Sequence, residues 1–134
     1  TSRKRASSKR PYQSKIRKNL RLIKQVNHKT ETIRKLNDQF RETLIGGTFL
    51  ITPGIQAMDA EARTVALIKL TGFKDFTPDN DPHGEHDFGA FDVNGKKLFW
   101  KIDYYAPDML HGSEDPADAD KTKRVLTLML SSEY

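Results

Sequence analysis

An α+β fold with a small, mainly antiparallel sheet packed by helices is predicted from three features of this sequence. Asn94-Gly95 sits between two runs rich in aromatic and aliphatic residues, and Asn-Gly supplies the positive φ angles of a two-residue hairpin loop. Upstream, Ile16, Leu20, Ile23, Val26, Ile33, Leu36, Phe40 and Leu44 recur at three, four or seven residues, the rhythm of one helical stripe. Between them, Asp59 to Leu70 carries helix start and stop signals. The chain has 134 residues, 36% hydrophobic and 31% charged, enough apolar material for one modest core.

The elements follow in order. Residues 1–11 hold Ala6 as their one small apolar residue and are expected to be disordered, because they bury too little to offset ordering. From Tyr12 the stripe begins, with a weak stretch at Asn27-His28-Lys29-Thr30 where the helix is expected to break and Thr30 to cap its second half. Residues 1–27 are therefore read as a basic arm, disordered then helical, and 28–134 as a single α+β domain. Gly46-Gly47 ends the helix, and Thr48–Thr52 reads as a strand. In the next helix Asp59 is the N-cap, Glu61 lies in the first turn, Lys69 in the last, and Gly72 closes it. A short strand is expected around Gly72–Phe76.

The Asn94-Gly95 loop fixes a register: Val93 opposite Lys96, Phe91 opposite Leu98, Gly89 opposite Trp100, Phe88 opposite Lys101 and His86 opposite Asp103. Leu98, Trp100, Ile102 and Tyr104 then share the core side, and Phe99, Lys101, Asp103 and Tyr105 the other. Asp115-Pro116 looks like an N-cap followed by Pro at the first helical position. The run Val125, Leu126, Leu128, Met129, Leu130 is accordingly expected to be a buried central helix.

Charge is distributed unevenly. Residues 1–45 carry fourteen Lys/Arg against three Asp/Glu, a balance of +11; the remainder carries nine against fifteen, a balance of −6. Eleven cations precede the first acid, Glu31. Such an arm suits a polyanion, since Lys and Arg displace condensed counterions from phosphates. The phosphate contacts are expected from Arg3, Lys4, Arg5, Lys9, Arg10, Lys15, Arg17, Lys18, Arg21 and Lys24. The competing reading is a solvated tail and a helix packed on its own domain.

The acidic half concentrates in two loops, Asp75–Asp87 and Gly112–Asp118. Asp79, Asp81, Glu85, Asp87, Glu114 and Asp115 are candidates for binding a protein partner, with an inhibitor of a nucleic-acid enzyme as one form of this. No cofactor is expected, and the alternative is a divalent metal on Asp79, Asp81, His83 and Glu85. These residues imitate a calcium loop only in part, because its twelfth position is Ala90 where a bidentate Glu is required. Catalytic candidates are His86 as a base oriented by Asp103, with Glu85 nearby. The sequence lacks cysteine, which excludes disulfides and thiol chemistry. It also lacks a phosphate-cradling glycine loop, a nucleophile elbow and a dinucleotide fingerprint. No apolar run approaches the roughly 18–20 residues that cross a bilayer, so a cytoplasmic protein is expected. The preferred reading is a non-enzymatic accessory protein that contacts nucleic acid, or a nucleic-acid machine, through its arm; a metal-assisted hydrolase or nuclease is the alternative.

Three motifs in order, DFTPDNDPHGEHDFG, FWKIDYY and GSEDPADADKTKRVLTLMLSSEY, resemble those of an uncharacterised alphaproteobacterial family known only as a domain of unknown function. The resemblance spans roughly His28 to Tyr134. It implies a small bacterial cytoplasmic protein, often encoded near plasmid and other mobile-element genes, with no established activity to carry over. Its motif positions here are Asp79, Asp81, Gly84, Glu85, His86, Asp87, Lys101, Asp103, Tyr104, Tyr105, Glu114 and Asp115.

Overall fold

The structure, a computed structural model, describes residues 2–134, with side chains from Gln13 onward. Thr1 and the side chains of residues 1–12, those of Arg3, Lys4, Arg5, Lys9 and Arg10 among them, lie outside the described residues; the backbone of residues 2–11, expected to be disordered, is helical as the start of α1. Chain order is α1 (Ser2–Thr43), β1 (Thr48–Ile51), α2 (Pro53–Gln56), α3 (Ala60–Thr71), β2 (Phe88–Val93), β3 (Lys96–Tyr105) and β4 (Lys123–Leu130), with single 3-10 turns at Ala119–Lys121 and Ser131–Glu133.

The sheet has four strands in the order β1-β4-β3-β2. β2–β3 and β3–β4 are antiparallel, whereas β1 runs parallel to β4. The hairpin register is the one the turn chemistry predicts, from Val93 opposite Lys96 to Phe88 opposite Lys101. Asn94 (φ 52°) and Gly95 (φ 78°) occupy the left-handed region that such a loop needs. Trp100 lies over Gly89, where any β-carbon would run into its indole and the Phe73 ring. The ladder stops at Phe88, so His86 and Asp103 do not pair across it.

One face of the sheet is covered. Leu98, Trp100 and Ile102 of β3 and Leu126 and Leu128 of β4 pack with Phe40 of α1, Ile55 of α2 and Ala62, Ala66 and Leu70 of α3 in a single core. α3 begins as expected, with the Asp59 carboxylate accepting the Ala62 N–H at 2.8 Å, and Gly72 closes it. α2 is tied down by Glu133, whose carboxylate accepts from the Thr52 hydroxyl (2.6 Å), Leu130 N–H (2.9 Å) and Gly54 N–H (3.0 Å). These bonds hold the Glu133 carboxyl below its ordinary pKa.

Three expectations are corrected. Residues 123–130 form a strand, not a helix. β4 is a central strand, and both its faces are apolar: Leu126 and Leu128 face the helices, while Val125 and Met129 are buried on the opposite side, outside the core cluster. Apolarity on every side looks like a buried helix in sequence, although here it reports two-sided cover of an extended chain. Asp115 caps a single turn, its side chain accepting from Ala117 N–H at 3.3 Å. Residues 72–76 form no strand; the chain there is irregular and delivers Phe73 and Phe76 onto Trp100 edge to face. α1 does not break at 27–30, where the Thr32 hydroxyl donates to the His28 carbonyl at 3.0 Å within an unbroken helix.

Candidate functional site

The acidic loop 75–87 folds back onto the last three turns of α1. Arg34, Asn37, Asp38 and Arg41 recur at three, four and seven residues and so line one side of the helix. Each meets the loop or the sheet behind it. Arg34 Nε donates to the Gly84 carbonyl at 2.7 Å. Asn37 is fully buried; its amide nitrogen donates to the Glu85 carbonyl (3.0 Å) and the Tyr104 hydroxyl (2.7 Å), and its oxygen accepts from Arg124 Nε (2.8 Å). Tyr104 in turn donates to the Glu85 carboxylate at 2.8 Å. The Arg124 guanidinium lies 5.2 Å from the centre of the Tyr104 ring and donates to the Pro116 carbonyl. Burial raises the Tyr104 phenol pKa, and the Glu85 bond adds to the rise. Burial also lowers the pKa of Arg124.

A second knot adjoins the first. The Arg41 side chain is 2% exposed and bonds Asp38 at 2.9 Å, with its guanidinium over the rings of Phe76 (5.2 Å) and Trp100 (5.3 Å). His86 stacks flat on Phe76, centroids 3.6 Å apart. Its Nδ1 lies 2.8 Å from Asp38 Oδ1, and its Nε2 lies 3.6 Å from Asp81 Oδ2. The His86 backbone is left-handed (φ 55°), held by its N–H donating to Asp81 at 3.1 Å.

These contacts reassign several candidates. The partner of His86 is Asp38, whereas Asp103 pairs with Lys101 at 2.8 Å. Nδ1 of His86 is thus engaged by Asp38, whereas Nε2 faces Asp81 from beyond hydrogen-bond reach. Glu85 is engaged by Tyr104, and the Asp81 side chain is 6% exposed. Asp87 is half-buried beside Glu85; burial first, then that neighbouring charge, raises its pKa above 3.8. Asp79 and His83 are exposed at the loop surface, and among the described residues no three His, Asp or Glu side chains group as metal ligands would. Between the loop and α1 lies an open cleft of about 460 Å³, lined by Thr30, Arg34, Thr77, Asp81, His83 and His86. Glu114 and Asp115 sit in the second loop, remote from this network in sequence, with Glu114 3.6 Å from Lys121.

Sequence reasoning missed Arg34, Asn37, Asp38, Arg41 and Arg124. A signal was present, since Asn37 and Arg41 interrupt the apolar stripe at core spacing, where a polar residue requires a buried partner.

Beyond its contact with the loop, α1 stands clear. Residues 13–29 are exposed throughout and reach about 25 Å from the domain at helical rise. Lys15, Arg17, Lys18, Arg21, Lys24 and Lys29 lie on this stretch, and among the described residues none makes a salt bridge. Its aliphatic residues are exposed too, Leu20 at 53% and Val26 at 62%. No described helix is long and apolar enough to cross a membrane.

No curated protein and no solved structure matches the chain. A family model described as "Protein of unknown function (DUF3768)" matches residues 51–133, from the end of β1 to the turn after β4. That is well over half the chain, and it includes the acidic loop, the hairpin and β4, so the protein belongs to this family of unknown function.

Proposed function

We propose that this protein is a nucleic-acid-binding accessory protein, in which the projecting half of α1 carries the contact and the sheet domain is its rigid base. The observation that supports it most is residues 13–29, a solvated helix with six cations, no acid and no internal ion pairs among the described residues. A helix packed on its own domain, the bland alternative, would have buried these side chains. Cations without ion-pair partners among the described residues, on a solvated rod about 25 Å long, can meet phosphates along a duplex, and release of counterions drives such binding without reading sequence.

Fluorescence anisotropy with a labelled duplex and a single-stranded RNA tests this across a salt series. If most of the six helix cations meet phosphates, log affinity falls with log salt at a slope of about −5 on duplex DNA, more steeply if residues 3–10 join in. Reversing Arg17, Arg21 and Lys24 to Glu abolishes binding. Absence of binding at low salt, or a flat salt dependence, overturns the reading.

A protein partner for the acidic half has a smaller surface than the count of carboxylates suggests. Asp81, Glu85 and Asp87 are turned inward, which leaves Asp79, Glu114 and the second loop as its exposed part. The metal-assisted hydrolase has less support, for two of the carboxylates it needs, Glu85 and Asp81, are bonded to Tyr104 and to the His86 N–H. A thermal shift on adding Mn or Zn, lost in Asp79→Ala, would restore it.

A further inference from the structure

The exposed aliphatic side chains of the projecting helix lie on one side of it. A seven-residue step turns an α-helix by almost two full turns, so residues seven apart stay on one side. Asn37, buried on the domain, is preceded at that step by Thr30, Ile23 and Ile16; the buried Phe40 by Ile33 and Val26; the buried Arg41 by Arg34, Asn27 and Leu20. The face that α1 buries on the domain thus continues outward as Ile16, Leu20, Ile23 and Val26, exposed by 42% at Ile16 and 62% at Val26. Cations border this face on both sides at the same step: Lys15 and Lys29, with Leu22 between them, along one edge, and Arg17 and Lys24 along the other. No acid lies between residues 13 and 29.

We infer that this face docks an amphipathic helix of a partner protein, apolar along its seam and lined with Glu or Asp along both borders. Two observations select that occupant. The face is continuous with the one that packs on the domain, so its aliphatic side chains keep the spacing at which helices receive one another. Its borders are also cationic at the positions that form the flanking ion pairs of a helix pair and choose the partner by charge. A helix of about 17 residues covers 13–29 and ends before it reaches the domain. Asn19 and Asn27 interrupt the seam, and polar positions of this kind set the register of paired helices while lowering affinity. A second copy of α1 would instead bring like charge to both borders. A flat membrane laid along the face would run into the domain, which rises from α1 on that side, and residues 13–29 hold none of the Trp or Phe that anchors an interfacial helix. Lys18, Arg21 and His28 lie on the far side of the helix, clear of the docked partner.

The test needs no nucleic acid, so it stands or falls apart from the function proposed above. The probe is a labelled synthetic peptide of about 21 residues, three heptads with Leu and Ile on the seam and Glu on both borders. Titrated with the full chain at about 0.15 M salt, where exposed charge alone is largely screened, it is expected to bind in the micromolar range by anisotropy and to turn helical by circular dichroism. Leu20→Gln with Ile23→Gln keeps every cation and a good helix former at each position; it is expected to weaken peptide binding at least about tenfold while the domain melts as the wild type does. The same peptide with Lys in place of Glu is expected not to bind. No binding up to about 100 µM, equal binding of the Lys peptide, or full binding by the Leu20→Gln, Ile23→Gln variant each overturns the inference. So does self-association of the full chain, or attachment to anionic vesicles, that this double substitution abolishes.

Discussion

Asn37 joins the three layers of the site by itself, bonding the loop through Glu85, β3 through Tyr104 and β4 through Arg124. Replacing it with Leu keeps the volume but strands a buried guanidinium and a phenol, each of which costs about 1–3 kcal/mol. Asn37→Leu is therefore expected to lose about 3 kcal/mol in urea unfolding. Asp38→Ala removes the counter-charge of the 2%-exposed Arg41 and one of the two carboxylates facing His86, with an expected loss of about 3–4 kcal/mol. Asp87 acts in the opposite sense. Its raised pKa means that the folded state takes up a proton more readily than the unfolded chain, so its ionisation costs stability as pH rises from 3.8 through the folded value. Asp87→Asn is expected to raise the melting temperature at pH 7, with the gain vanishing near pH 3 in a pH series of thermal melts. None of these roles could be read locally. His86 and Asp38 are 48 residues apart, so the sequence suggested only that the imidazole needs a carboxylate, and the hairpin register offered Asp103 as the nearest one.

Elements were legible where a turn or a cap dictated them. Asn94-Gly95 determines a whole ladder, because one two-residue loop sets the register of every pair behind it. Asp59 and Gly72 bracket α3 for the same local reason. β4 was illegible because its neighbours along both edges, β1 and β3, which make it a strand, are distant in sequence. The supposed break in α1 was a propensity argument, and the flanking helix carries through Asn27 to Thr30 at small cost. Since residues 13–29 are exposed throughout, deleting residues 1–29 is expected to leave the melting temperature within about 2 °C while removing nucleic-acid binding. A fall of about 10 °C in calorimetry would mean that the helix end supports the fold.

At the scale of the molecule, the separation of charge survives folding. The cations project on a rod, while most loop carboxylates are consumed internally, so the net charge of +5 understates how basic the outward-facing helix is. Association with a polyanion is then expected to be fast and salt-sensitive in its on-rate, measurable by stopped flow, with Lys123→Glu on the sheet affecting it far less than Arg21→Glu. That division was visible in the sequence from the position of Glu31 alone.

The parallel pairing of β1 with β4 sets a timetable for the chain as it is made. β1 emerges from the ribosome about seventy residues before the strand that must lie between it and β3. Until residues 123–130 follow, the nascent chain holds a helix with an isolated strand at one side and a hairpin at the other. The half-made protein offers an open slot flanked by two apolar strand edges, a shape that other nascent chains can enter. Pausing or truncation before Lys123 is therefore the stage at which this protein is most exposed to chaperone capture and aggregation.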